Sequence, residues 1–184
     1  MRVIEDHKKN INELEAKGIG PLAVAAQKIT EALKKGGRIY ICGNGGSAAD
    51  AQHIAAELVG KFMRQRRALP VVALTTNTSV LTSISNDYSF EYTFARQVEA
   101  LLDKGDILWA ISTSGTSPNV IAAAKLAKKK KACVIAFTGK KNTKLERISD
   151  ICFCANEKST ARSQEIHQLG YHIICDIVEK SFCK

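Results

Sequence analysis

The 184-residue sequence has no apolar run of the roughly 20 residues that a membrane-spanning helix needs. Its opening stretch, MRVIEDHKKNINELEAKG, is charged throughout and has no apolar centre of the kind a secretory signal carries. A cytoplasmic location is therefore expected, with no membrane as partner. Aromatic residues are scarce at 6% and are not interleaved with basic ones, which excludes the stacking platform of a single-strand binder and argues against nucleic acid as a partner. The six cysteines include no Cys-x-x-Cys pair. They fall inside apolar runs such as IYIC, ACVIAF and ICFCA, so reduced core thiols are expected rather than a disulfide frame. In the CFC run, Cys152 and Cys154 would share one face of a strand, which is a weak thiolate signal. Internal repeats, low-complexity segments and linkers are also missing.

What remains is the composition of an ordinary globular chain, 45% apolar and 24% charged, long enough for one domain over residues 1–184. The formal charge of +9 includes the run Lys128–Lys131 at the end of an expected helix, where cations suit the helix dipole. Such an excess attracts anions in general and selects none of them. Residues 1–35 read as two helices divided near KGIGP, and strands are expected at 38–42, 70–74, 106–111, 132–137 and 150–155. Helical patterns fill 47–62, 78–85, 90–102, 118–130, 142–148 and 161–182. The strands are nearly continuous apolar runs, and their alternation with helices predicts a parallel sheet with helices on both sides. In such sheets ligands sit beyond the carboxyl ends of the strands, which singles out the loops GNGGS, TTNTS and STSGTS.

GNGGS is neither a dinucleotide fingerprint nor a P-loop, because the third spaced glycine and the Gly-Lys-Ser/Thr are missing. It predicts a tight turn that exposes backbone N–H groups at a helix start, with Ser47 available as a cap. ISTSGTSPN sets Ser112, Thr113, Ser114 and Ser117 around Gly115, ahead of Pro118 in a first helical turn. A cap needs one hydroxyl; four suit a phosphate monoester. His53 and Glu57 stand four apart, on one helix face opposite Ala51, Ile54, Ala55, Leu58 and Phe62. On the last helix Gln164, Gln168 and His172 occupy the side away from an expected apolar stripe of Ile166, Leu169, Gly170, Ile173 and Ile177. Gln164 and His172 are roughly 12 Å apart at the standard rise, so they meet one small ion only through long side chains or a neighbouring chain. His167 is expected to be structural and His7 solvated. His53, Glu57, Gln164 and His172 offer nitrogen and oxygen donors for a metal, although their spacing does not dictate one.

Four blocks in order, CGNGGSAADAQHIAAEL, ISNDYSFE, ISTSGTSPNV and TARSQEIHQLGYHIICDIVE, resemble the phosphoheptose isomerases of the sugar-isomerase (SIS) domain proteins, over nearly the whole chain. The resemblance implies a three-layer α/β/α fold with a five-stranded parallel sheet. It also implies a homotetramer with active sites at subunit interfaces, the N-terminal helical extension taking part in assembly. The implied reaction converts sedoheptulose 7-phosphate to D-glycero-D-manno-heptose 7-phosphate through an enediol, the first step towards bacterial ADP- or GDP-heptose for lipopolysaccharide or capsule. Carried over by position, His53, Glu57, Gln164 and His172 match the family's zinc ligands. Asn44, Gly45, Gly46, Glu57, Asn86, Asp87, Ser112, Thr113, Ser114, Ser117 and Gln164 match its substrate contacts. Thr116 stands where many members have Asn. Glu57 is the expected base and His172 the opposite acid/base; whether Glu57 binds zinc as well, or zinc polarises substrate oxygens and leaves it partly free, stays open. Two rivals stand beside this reading. One is a non-catalytic SIS adaptor that binds a replication-initiator protein, and the other is an isomerase of a different ketose phosphate.

Overall fold

The computed structural model describes residues 2–183, and all five expected strands are present within a residue or two of their expected ends. Helices α1 (Arg2–Lys17) and α2 (Gly20–Lys34) precede β1 (Ile39–Cys42), α3 (Gly46–Val59) and β2 (Val71–Ala73). Then follow α4 (Thr78–Asp87), a 3₁₀ turn (Phe90–Tyr92), α5 (Thr93–Leu101), β3 (Ile107–Ser112) and α6 (Pro118–Lys129). The chain ends with β4 (Cys133–Thr138), α7 (Lys144–Ile148), β5 (Ile151–Cys154) and α8 (Thr160–Lys180). The sheet runs β2-β1-β3-β4-β5 and every pair is parallel.

Alternation along the strands makes the two cores. Ile39, Ile41, Ile107, Trp109, Ile111, Ile135 and Phe137 point to the layer holding α2, α3 and α8. Tyr40, Cys42, Leu108, Ala110, Val134 and Ala136 point to the layer holding α5, α6 and α7. Both faces of β1 and β3 are buried, which is why their sequences read as unbroken apolar runs. Strand order reverses between β1 and β3, so a crevice opens beyond their carboxyl ends. The loops that follow these two strands are GNGGS and STSGTS.

Several expectations need correction. The helix expected over 47–62 stops at Val59, because the N–H groups of Phe62, Met63 and Arg64 donate to the Glu179 carboxylate instead of to carbonyls one turn back. The buried stripe of α8 is rotated from the expected one: Ile166, His167, Gly170, Tyr171, Ile174, Cys175 and Val178 are buried, while Leu169, Ile173 and Ile177 are only half-buried. That helix packs against α2 and α3 as well as the sheet, so its buried face is wider than a single apolar stripe. His7 is not simply solvated, since its Nδ1 lies 2.7 Å from Glu165 Oε2 on α8. Within the lysine run, Lys128 pairs with Asp150, and Lys130 donates to the Glu99 carbonyl at 2.7 Å in the last turn of α5. All six cysteines are free thiols. Among the described residues no helix is long and apolar enough to cross a membrane.

Candidate active site

The crevice at the β1–β3 switch is a pocket of about 280 Å³. Asn44, Gly45, Gly46 and Ser47 line it from one side, Ser112, Thr113 and Ser117 from the other, and Thr160 and Gln164 close it from the start of α8. Gly45 has φ 57°, which only glycine adopts freely, and a Cβ on Gly46 would collide with the Gln164 carboxamide. The expected cap is absent: Ser47 is buried inside the first turn and no side chain caps α3. Nor does Ser117 cap α6, because its hydroxyl lies 2.9 Å from Ser112 Oγ. Two helix N-termini therefore face the crevice without a capping residue. The Val120 N–H is taken by Asn119 Oδ1 and the Ser47 N–H by the Asn44 carbonyl, and the helix dipoles with the N–H groups that remain favour an anion there. Ser114, exposed at the loop tip, has its oxygen 3.3 Å from Ser112 Oγ and accepts from the Thr116 N–H at 3.2 Å.

Asn119 was not singled out by the sequence. It is buried and exchanges two hydrogen bonds of 2.9 Å with Asn44, which lock the two loops together. An asparagine inside a helical pattern carries no such signal. Thr160, one residue ahead of the expected last helix, carries no local signal either.

The second constellation lies between α3 and α8. His53, Glu57 and His172 each offer a ligand atom within 4.8 Å of the others, the one such group of His, Cys, Asp or Glu among the described residues. His53 Nε2 is 2.9 Å from Glu57 Oε1, and its Nδ1 is 2.9 Å from the Tyr171 hydroxyl. Tyr171 thus orients the ring in the manner of an outer-shell partner, and its own hydroxyl is held protonated by burial first and by nearby Asp50 next. Burial, then the neighbouring His53, lowers the pKa of His172 against the opposing pull of Glu57, leaving a neutral imidazole available as ligand or acceptor. Phe62 stacks on the His172 ring at 5.4 Å. Asp50, one turn before His53, is raised to about 6 by burial, and its Oδ2 has no partner. Two imidazoles and a carboxylate with room for a further ligand form a donor set that suits zinc.

Gln164, matched to the ligand set by resemblance, packs on Gly46 and lines the pocket, about two turns of α8 before His172. Asn86 and Asp87 sit exposed at the end of α4, bonded to each other at 2.9 Å, and are not among the residues lining the pocket. One chain therefore gathers the glycine loop, the serine loop, Gln164 and the His–Glu–His group, and leaves Asn86 and Asp87 outside.

Residues 4–139 match the model of the SIS domain family. The chain is 51% identical to a phosphoheptose isomerase of a Roseiflexus species, over 88% of its own length and 82% of the relative's. It is 47% identical to the phosphoheptose isomerase of Helicobacter hepaticus, over 97% and 93% of the two chains. Among solved structures, phosphoheptose isomerase from Neisseria gonorrhoeae superposes with a TM-score of 0.92 at 42% identity, covering 97% of this chain and 96% of that one.

Proposed function

The chain belongs to the SIS-domain family and, within it, to the phosphoheptose isomerases, and from that premise we propose how its residues interconvert sedoheptulose 7-phosphate and the corresponding aldose phosphate. The observation that carries the reading is that α3 and α8 together hold both halves of the site. Gly46 and Gln164 stand at the anion-ready end, and His53, Glu57 and His172 follow further along the same two helices. Along α3 at the helical rise, Gly46 is about 10 Å from His53 and about 16 Å from Glu57. A seven-carbon sugar with its carbonyl at one end and its phosphate at the other suits that separation.

Moving a carbonyl between C1 and C2 removes one proton from carbon and delivers another, through an enediol. Glu57 takes the proton from C1. His172, neutral and across from Glu57, moves the proton between the sugar oxygens or returns one to C2. Ser112, Thr113, Ser114, Ser117 and the N–H groups of Gly45 and Gly46 hold the phosphate; Asn44 and Gln164 orient the hydroxyls. His53, Glu57 and His172 would hold a zinc ion, with Gln164 completing the set matched by resemblance; when bound, such an ion polarises the substrate oxygens and stabilises negative charge on them. Asn86 and Asp87 lie outside the pocket of their own chain, and a site shared between copies, as in a homotetramer, would bring them to the substrate. An intact donor set is what a pure adaptor has no reason to keep.

Chelation tests this reading. Purified protein is expected to convert sedoheptulose 7-phosphate faster than other ketose phosphates, to lose turnover after chelation, and to regain it with zinc. Undiminished turnover in metal-stripped protein would overturn the metal assignment, and turnover of another ketose phosphate alone would overturn the substrate.

A further inference from the structure

Glu179 lies on α8 two turns beyond His172 and is fully buried. Its Oε1 accepts from the N–H of Phe62 at 2.8 Å, and its Oε2 from Met63 at 2.7 Å and Arg64 at 2.8 Å. Arg66 Nε stands 3.6 Å from Oε1, and neither side chain is exposed. The rest of that guanidinium donates to the Glu57 carbonyl at 2.7 Å and the Gly60 carbonyl at 2.6 Å, closing the last turn of α3. The segment 57–67 is thus wound round one carboxylate. Two members of the reacting group feel it: Glu57 through its backbone, and His172 through the Phe62 ring stacked on it at an interplanar angle of 26°. Burial alone would push the Glu179 carboxyl up, but the three N–H donors and Arg66 together hold it below the ordinary range, so it stays charged.

A buried ion pair is a costly way to close a loop, since apolar residues of similar volume often do it as well or better. A carboxylate does what an apolar plug cannot. It fixes three consecutive N–H groups in direction as well as in place, and its charge holds one guanidinium beside it. We propose that Glu179 is a positioning residue for isomerisation: through Phe62–Arg64 and Arg66 it sets the Phe62 ring on His172 and the end of α3 behind Glu57, holding the two proton-transferring groups in register without touching substrate. Its kinetic half rests on the isomerase reading; its geometric half does not.

The test uses the full chain with Glu179→Gln, which keeps one acceptor oxygen and the side-chain volume. Phe62→Leu is the second variant, because it cuts the same linkage at its far end without opening a buried ion pair. The first readout is the His172 ring proton in NMR spectra of metal-free protein, assigned by its loss in His172→Gln. Stacking places that proton in the ring current of Phe62, so both variants are expected to move its resonance in the same direction. The second readout is kinetic. kcat is expected to fall about tenfold to a hundredfold with KM within about twofold, as for a misplaced catalytic group. The double variant is expected to fall little further than either single one. A Glu179→Gln protein with a lowered Tm but the parent's His172 resonance and kcat would overturn the proposal, as would Phe62→Leu with unchanged kcat. If Glu179→Gln does not fold, Phe62→Leu decides alone. A parent protein that does not turn over sedoheptulose 7-phosphate counts against the isomerase reading, and the resonance arm still decides the positioning.

Discussion

Ser112 Oγ lies 2.9 Å from Ser117 Oγ and 3.3 Å from Ser114 Oγ, so the three hydroxyls partly satisfy one another. A phosphate replaces those neutral bonds with charge-assisted ones, each worth roughly 1.5–3 kcal/mol. Converting both Ser112 and Ser114 to Ala is therefore expected to raise KM for a sugar phosphate at least tenfold while leaving Tm nearly unaltered. An unchanged KM would place the phosphate elsewhere. Single residues were legible wherever their neighbours in space were also neighbours in sequence. His53 and Glu57 show themselves four apart on one helix, and the serine loop shows itself as four hydroxyls around a glycine. Tyr171 behind His53, Asn119 against Asn44 and Phe62 on His172 pair residues more than 70 positions apart, and no local pattern encodes them.

At the scale of elements, α8 departs most from its pattern, because it buries an imidazole and a carboxylate among its apolar residues. His167 is fully buried; its Nε2 donates to the Thr138 carbonyl at 3.0 Å, while Nδ1 has no partner. Burial, opposed only by that hydrogen bond, pushes its pKa down from 6.5 to about 4. The unfolded chain therefore binds a proton near pH 6.5 that the folded chain refuses until about pH 4. Stability from this group is complete above pH 6.5 and is lost as pH falls towards 4, by on the order of 3 kcal/mol in total. Denaturant melts at several pH values are expected to show this decline, with a shallower slope in His167→Gln, whose amide can still donate to Thr138. Equal slopes would contradict it. The strands were legible because β1, β3 and β4 are buried on both faces and read as unbroken apolar runs, and the partly exposed edge strands β2 and β5 keep the same apolar composition. The turn of α8 about its axis was not, since part of its buried face is set by the distant α2 and α3.

At the scale of the whole molecule, Asn86 and Asp87 stand apart from the pocket that the remaining substrate-matched loops line. If they contact substrate, a second chain carries them in. Light scattering is accordingly expected to give a tetramer, and dilution to dissociated chains is expected to abolish turnover; an active monomer would contradict the shared site. The sequence carried the architecture to this level because alternating strands and helices admit few topologies, whereas the surfaces that join copies are mixed in polarity and leave no periodic trace.

The central claim is that this chain isomerises a heptose phosphate by proton transfer at Glu57. Its most direct test is the conversion of sedoheptulose 7-phosphate in D₂O, followed by NMR, for the parent and for Glu57→Gln with matched Tm. The parent is expected to form the aldose phosphate with solvent deuterium at C2. Glu57→Gln is expected to be slower by about 10²–10⁴, the usual range for loss of a general base. Full turnover in Glu57→Gln, or no conversion by the parent, would contradict the account.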